Sequence, residues 1–373
     1  MTTSMDTSEL REQLVDDLTT RGFLRSDRWR EAFLAVRREE FVTRFMVPSP
    51  TGDHQHYDLA DPDQHGPALS AVYGDTPLIT QQDAGGTATS SSTAPSLMAL
   101  MLEALDASRG MTALEVGTGT GYNAGLLCHV LGDDAVSSVD LDPLLVSLAR
   151  EALDRNGYSP HVGCVNGADG LPQRAPYDRL IATCGVSRIP EAWLRQVRPG
   201  GVIVVNVGFG LARLIMGPDG GASGPFIEYA SFMQLRHHRG DVAHTVSAVL
   251  AMAAGPSETR TVLLPAVLDE REVIFLRSVM LPNVRQVVAE HPDGPEYVLA
   301  DPATTSWARI RLQHDGTATV TEGGQRHLAR DLARIAVDWV AASRPPITAY
   351  KLAITADGQH ELRLDGGPHR WTL

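Results

Sequence analysis

The side chains best suited to chemistry fall in two neighbouring stretches. The first, Thr87-Ala88-Thr89-Ser90-Ser91-Ser92-Thr93, places six hydroxyls in seven positions. The second, Glu115-Val116-Gly117-Thr118-Gly119-Thr120-Gly121-Tyr122, alternates glycines behind an acid. Glycines so spaced let backbone N–H groups approach a ligand where a helix dipole begins. The pattern departs from the dinucleotide fingerprint G-x-G-x-x-G. A carboxylate at Glu115 would repel a pyrophosphate, but it suits a ligand carrying a sulfonium and an ammonium. Asp140 follows Gly121 by 19 residues at the end of the next apolar run, where an acid accepts from both hydroxyls of a ribose. An ordinary strand-to-helix turn explains the glycines but not a second acid in register. The ligand this pattern points to is S-adenosylmethionine, with S-adenosylhomocysteine as product.

These residues need a strand before the glycines and a helix after them. Residues 111–114 form a short apolar run and residues 122–131 an apolar helical segment. The hydroxyl run leads into a second helix, where Thr93 is placed to cap and Pro95 fits the first turn. A cap uses one hydroxyl. The others would form a bed of donors for the group that accepts a methyl.

After Asp140, Asp142-Pro143 starts a helix through Asn156, with Gly157 as its stop. A third strand over residues 161–165 ends in Asn166-Gly167-Ala168-Asp169, where an adenine edge would lie. A fourth strand (177–183), a helix (189–197) and a fifth strand (202–207) follow. Such alternation implies a parallel, doubly wound α/β sheet.

Upstream, residues 8–20 and 27–36 carry apolar residues at helical spacing, so two helices lead in. Residues 21–44 hold seven arginines against four acids, the natural surface for a carboxylate-bearing substrate. Residues 47–82 are rich in Pro, Gly, Asp and His and are expected as loop, with a strand near 71–79. His54, His56 and His65 lie there without a Cys or Glu at ligand spacing, and no metal site is expected.

Beyond Phe209 the rhythm changes. A strand over 225–233 precedes an ambiguous stretch, 240–265, and then strands at 273–275, 307–312, 317–320, 347–354 and 361–364 surround one helix, 328–342. The expected division is a domain of residues 1–236 and a smaller α+β domain of 237–373.

The chain has 373 residues and a net charge of −13, and all of its basic residues but Lys351 are arginine. An acidic surface argues against a nucleic-acid partner. Three single cysteines, Cys128, Cys164 and Cys184, sit in apolar segments and are expected as buried thiols. No run is long and apolar enough for a membrane span, and the acidic N-terminus (Asp6, Glu9, Glu12, Asp16, Asp17) lacks a signal pattern, so a soluble cytoplasmic protein is expected.

Several stretches together resemble the protein-L-isoaspartate O-methyltransferase family. They are Ala32-Phe-Leu-Ala-Val-Arg-Arg-Glu-Glu-Phe-Val42, the Thr93-Ala94-Pro95 helix entry, the loop from Glu115 to Tyr122, Ala175-Pro176-Tyr177-Asp178 and Arg188-Ile189-Pro190. The resemblance covers residues 30–208 and implies a Rossmann-like class I methyltransferase sheet. Thr93 stands where the family has a serine two residues before the proline, and Asn166 where it has an adenine-binding aspartate. More than 130 residues follow that minimal repair enzymes lack. These departures resemble the branch found beside ribosomally made peptide precursors, in lanthipeptide and graspetide systems. Its members methylate an aspartate of a modified peptide, and the ester collapses to aspartimide or isoaspartate.

The resemblance implies roles for individual residues. Thr93, Ser92 and Ser91 would orient the acceptor carboxylate. Glu115 and the backbone of the glycine loop, Gly117, Thr118, Gly119, Gly121 and Tyr122, would hold the methionine part of the cofactor, Asp140 the ribose and Asn166 the adenine, with Thr89, Ser90, Leu141 and Gly167 also expected among the cofactor-binding residues. A carboxylate of ordinary pKa, about 3.9, is already ionised at neutral pH, so catalysis would be placement and exclusion of water. The substrate expected is a modified precursor peptide. The alternatives are a general repair enzyme for isoaspartyl damage and a cofactor-fold binding protein without turnover. The oligomeric state stays open.

Overall fold

Apolar residues at helical spacing produce the two leading helices. Helix α1 (Ser8–Thr20) buries Leu14, Val15 and Leu18, and α2 (Asp27–Ala35) buries Trp29, Ala32 and Phe33. The computed structural model describes residues 7–48, 54–237, 246–255, 257–290, 294–313, 315–367 and 369–373. Asp6, cited above for the acidic N-terminus, lies outside them.

The stretch expected as loop is largely folded. It contributes β1 (Arg44–Val47), β2 (Gln55–Asp58), helix α3 (His65–Val72) and β3 (Leu78–Gln82), and the hydroxyl run forms β4 (Ala88–Ser92). These make a four-stranded sheet in the order β2-β1-β3-β4. Strands this short and polar show no alternation along the chain. Cross-strand pairing reveals them, as where Phe45 stacks on Tyr57 with ring centroids 5.2 Å apart. The strand expected near 71–79 is the end of α3 followed by β3, and residues 49–53 lie outside the described residues.

Helix α4 (Pro95–Leu105) then leads into the doubly wound unit. Its N-cap is Ala94 and no side chain caps it, so Thr93 is released from the capping role expected of it. The unit runs β5 (Ala113–Val116), α5 (Tyr122–Leu131), β6 (Val136–Asp140), α6 (Pro143–Arg155), β7 (His161–Cys164), β8 (Tyr177–Val186), α7 (Glu191–Gln196) and β9 (Val197–Val207). Strands β9-β8-β5-β6-β7 lie parallel, so each connection returns the chain to the same end of the sheet. The carboxyl ends of β5, β6 and β8 therefore gather on one side, where ligands of such sheets bind.

The sheet continues antiparallel through β10 (Gly210–Met216) and β11 (Ala222–Tyr229), of which the sequence pattern showed only the second. Residues 238–245, which include the start of the stretch left ambiguous, lie outside the described residues. Beyond them come α8 (Val246–Met252), β12 (Glu258–Leu263), α9 (Arg271–Met280), β13 (Arg285–Ala289), β14 (Glu296–Asp301), β15 (Ser306–Leu312), β16 (Thr317–Gly323) and α10 (Leu328–Ala341). Strands β12-β16-β15-β14-β13 form a sheet of their own. The strand expected at 273–275 lies inside α9, which buries Val273, Leu276 and Val279 at helical spacing; three adjacent apolar residues do not decide between the two periods.

The chain ends back on the first sheet. Strands β17 (Tyr350–Ile354), β18 (His360–Leu364) and β19 (Arg370–Thr372) follow α10, and β17 pairs antiparallel with β11, giving ten strands in one sheet. Phe275 of α9 sits edge-on to Phe226 at 4.7 Å and to Tyr350 at 5.8 Å. The part beyond residue 237 is thus joined to the first part by both sheet pairing and core.

Candidate active site

The glycine loop runs from the tip of β5 into α5. Gly117 and Gly119 take φ of +98° and +52°, a region that side-chain-bearing residues enter at a cost. Thr118 buries its side chain under the loop, with its hydroxyl 2.6 Å from that of Ser138. Gly117 and Thr118 donate their N–H groups to the Val139 carbonyl at 2.8 and 3.2 Å, and the Thr183 hydroxyl donates to the Gly117 carbonyl at 2.7 Å. The loop is held to the tips of β6 and β8.

The two acids behave differently. Glu115 has no exposed surface, and its oxygens accept from Asn123 Nδ2 at 2.7 Å and Ser138 Oγ at 2.5 Å. Burial pushes its carboxyl up to about 7 against those two bonds, with Asp140 adding to the rise. Glu115 was expected to touch the methionine part of a cofactor; instead it lies beneath the loop and fixes the loop's underside. Asp140 is half-buried at the surface of the cleft. It accepts from the Gly119 N–H at 3.0 Å and the Asp142 N–H at 3.1 Å. Two backbone bonds orient this carboxylate and leave lone pairs for a diol.

Strand β4 lies against the loop. A Cβ built on Gly119 would stand 3.7 Å from Ser90 Oγ and 3.8 Å from the Ser91 carbonyl. The hydroxyls divide between two tasks. Ser92 is buried and bonded to Arg38 Nη2 at 3.1 Å, and Ser90 accepts from the Thr80 hydroxyl at 3.0 Å. Thr89 donates to Gln81 Oε1 at 2.7 Å, and Gln81 Nε2 donates to Asp142 Oδ2 at 3.0 Å. Burial raises the Asp142 carboxyl, but the Gln81 bond, the Leu144 and Leu145 N–H groups and nearby Arg236 together hold it below its usual value. The half-buried Ser91 and Thr93 hydroxyls have no protein partner among the described residues. Of the three hydroxyls expected to orient an acceptor, Ser92 is therefore committed to Arg38, while Ser91 and Thr93 remain available.

Other expected ligand residues also divide. Tyr122 turns its ring into the core, edge-on to Phe33 at 6.3 Å and Phe41 at 5.9 Å, so only its backbone N–H at the start of α5 remains near the loop. Asn166 caps a short 3₁₀ turn, its Oδ1 accepting from the Ala168 N–H at 3.0 Å. One lone pair of that oxygen is used, and the amide group has no protein partner among the described residues, so it can donate to a ligand. Leu141 is half-buried beside Asp140, and Gly167 is so close to β5 that a Cβ would meet Val116 Cγ1 at 2.6 Å.

The structure adds residues that sequence spacing missed. Asn123 and Ser138 hold Glu115, Gln81 links β4 to the helix after Asp140, and Arg38 secures β4 from behind. Arg38 is fully buried and donates to the Val72 carbonyl at 2.7 Å and the Thr93 carbonyl at 3.0 Å; burial lowers its guanidinium to about 10. Asn123, polar inside an apolar helix, was the one visible signal.

The arginine excess near the N-terminus is neutralised. Arg21 pairs with Asp17 and Asp75, Arg28 with Asp106, Arg30 with Asp27, Arg37 with Glu39 and Glu40, and Arg44 with Asp58. These pairs leave less free positive charge for a carboxylate-bearing substrate than the arginine count suggests. His56 lines a groove of about 310 Å³ over β1 to β3, and His65 Nδ1 lies 2.8 Å from the Leu59 carbonyl. Cys128 is buried and Cys184 half-buried, but Cys164 is exposed at the end of β7, contrary to expectation, and all three are free thiols. No helix of the described residues is long and apolar enough to cross a membrane.

Comparison with known proteins agrees with this geometry. Residues 63–217 match the family model described as protein-L-isoaspartate(D-aspartate) O-methyltransferase. The protein-L-isoaspartate O-methyltransferase of Methanopyrus kandleri is 35% identical over 201 residues, 53% of this chain and 76% of that protein. The one from Thermotoga maritima is 34% identical over 190 residues, 50% of this chain and 53% of its own. A solved structure of a protein-L-isoaspartate O-methyltransferase aligns over 95% of this chain and 99% of its own, with a TM-score of 0.56 at 22% identity. That alignment takes in the residues beyond 237. The residues beyond 237 thus share their fold with that structure.

Proposed function

The chain belongs to the protein-L-isoaspartate O-methyltransferase family, and on that premise we propose that it transfers a methyl group from S-adenosylmethionine to the free carboxylate of an isoaspartyl residue in a protein or peptide. The observation that supports the reading is the approach of β4 to the glycine loop, where Gly119 lies near Ser90 and the Ser91 carbonyl, on a stretch that carries two hydroxyls without a protein partner among the described residues, Ser91 and Thr93. The donor set fits the cofactor. Asp140 would hold the ribose, the backbone of Gly117 to Gly121 the methionine part, and Asn166 and Gly167 the adenine, with Asn166 donating to a ring nitrogen. When bound, the cofactor supplies an electrophilic methyl group.

The remaining steps belong to this chain. An α-carboxyl of ordinary pKa, about 3.5, is ionised at neutral pH, so no general base is needed. Thr93 and Ser91 donate hydrogen bonds to the incoming carboxylate and hold one oxygen toward the loop. Arg38 keeps β4 in place by gripping Ser92 and the Thr93 carbonyl from behind. The ester formed is a better electrophile than the carboxylate, because methanol leaves where oxide does not, and the neighbouring backbone nitrogen can close a five-membered imide unaided.

A second reading keeps the chemistry and narrows the substrate to an aspartate of a modified ribosomal peptide. Thr93 in place of the family's serine, within a run of hydroxyls, favours it. One experiment separates the two: methyl transfer from labelled cofactor to an isoaspartyl peptide, to its aspartyl twin and to a ring-bearing acidic peptide. Labelling of the isoaspartyl peptide alone is expected, and Thr93→Val should lower its kcat/KM roughly tenfold with cofactor affinity unchanged. Labelling of the ring-bearing peptide alone supports the second reading, and transfer to none of the three sinks both.

A further inference from the structure

A second cleft, of about 160 Å³, opens where the carboxyl ends of β8 and β9 meet α9 and the start of β13. Its lining includes Arg277, Arg285, Ser187, Ser231, Gln234 and Gln286, and no acid among the described residues lines it. In a chain of net charge −13, two arginines together without a carboxylate call for an explanation.

Arg277 is the more telling of the two. It is only 5% exposed, and its Nε is buried with no hydrogen-bond partner. Its Nη1 donates to the Val284 carbonyl at 3.0 Å, and its guanidinium lies 6.0 Å from the Phe209 ring centre. Burial and the neighbouring Arg285 both lower its affinity for a proton, to about 10. Arg285 is half-buried, donates to the Pro282 carbonyl at 3.3 Å, and has no ion pair among the described residues. A buried cation left without a counter-charge is unfavourable. A bound carboxylate would pair with Arg277 through Nη2, which has no protein partner among the described residues, and relieve the repulsion with Arg285, with the serines and amides as neutral donors around it.

The cleft is tied to the acceptor strand. Ser231 and Gln234 line it, Leu235 donates to the Gly185 carbonyl at 2.8 Å, and Arg236 Nη2 approaches the Thr89 carbonyl at 3.5 Å. Five residues separate Ser231 from Arg236, a reach of at most about 18 Å.

We propose that this cleft binds a second carboxylate of the substrate peptide, distinct from the one that is methylated. The inference rests on the reading of the chain as a peptide-acting methyltransferase. It names the substrate class as acidic isoaspartyl peptides. The carboxylate is either an acidic side chain or the peptide's own C-terminus.

The test uses the full chain and isoaspartyl peptides carrying Glu or Gln at three to six residues from the isoaspartate, each as free acid and as C-terminal amide. A KM about tenfold lower for Glu than for Gln at one spacing identifies a side chain; a similar drop for the free acid over the amide identifies a terminus. Arg285→Ala should erase that difference through KM rather than kcat, and Arg285→Lys should restore part of it. Arg277→Met, compared by thermal melting, should do the same if it folds; Arg285 decides if it does not. Anisotropy of a labelled Glu peptide lacking isoaspartate reads the cleft without turnover, so absence of methyl transfer removes the proposed function while binding still decides this inference. Equal KM for all peptides together with equal anisotropy for wild type and Arg285→Ala overturns it.

Discussion

The arginines of residues 21–44 and the pair Arg277 and Arg285 are the same side chain in opposite circumstances. In the first region five of the seven form ion pairs, and Arg38 is spent on the back of β4. In the second, two arginines share one cleft with no acid among the described residues of its lining. The sequence shows a cationic excess in the first region and nothing unusual in the second. Local charge density therefore misplaces the free charge, because the acids that neutralise Arg21, Arg28 and Arg44 come from Asp75, Asp106 and Asp58, distant in the chain but adjacent in the fold.

That contrast can be broken at several strengths. The largest effect belongs to Arg38, buried and bonded to three residues. Arg38→Ala should cost on the order of 3 kcal/mol or more of stability, measured by urea unfolding, because it orphans the Val72 and Thr93 carbonyls. Arg38→Lys should recover only part, lacking the planar fork. A loss below about 1 kcal/mol would mean that β4 does not depend on it.

An intermediate effect is expected at Glu115, a buried acid held by neutral donors. Its folded value of about 7 stands above its unfolded 4.5. Between those values the native state binds more protons than the unfolded chain, so this group makes stability fall as pH rises from 4.5 to about 7. The loss is up to about 3 kcal/mol. Glu115→Gln should flatten that slope in urea midpoints taken at pH 5 and pH 7.5. An unchanged slope would show that the carboxyl is not the group titrating.

The smallest effect is expected at Arg44, whose ion pair with Asp58 at 2.8 Å is largely exposed. Arg44→Ala should change stability by less than about 1 kcal/mol and leave the KM for an acidic peptide unaltered. A rise in KM equal to that of Arg285→Ala would erase the distinction between the two regions.

The cofactor side was readable in the chain because its determinants are local. Gly117, Gly119 and Gly121 declare a turn that side chains cannot make, and Asp140 ends an apolar run at a set distance. Side-chain direction was not readable. Glu115 and Tyr122 lie next to the loop in sequence yet point into the core, because Asn123, Ser138, Phe33 and Phe41 surround them. Likewise Ser92 and Thr93 are neighbours of one type, and only the position of Arg38 separates their tasks.

Composition and period alone determined the leading helices, the alternation of strand and helix from β5 to β9, and the glycine turn, since each depends on residues a few positions apart. The short strands β1 to β3, the helical state of residues 271–280 and the return of β17 to β11 were decided by tertiary structure. A four-residue strand or three apolar residues in a row fit more than one element until a partner surface selects among them. The acid-free cleft is the extreme case: Arg277 and Ser187 are 90 positions apart, and nothing short of the packed fold brings them to one wall.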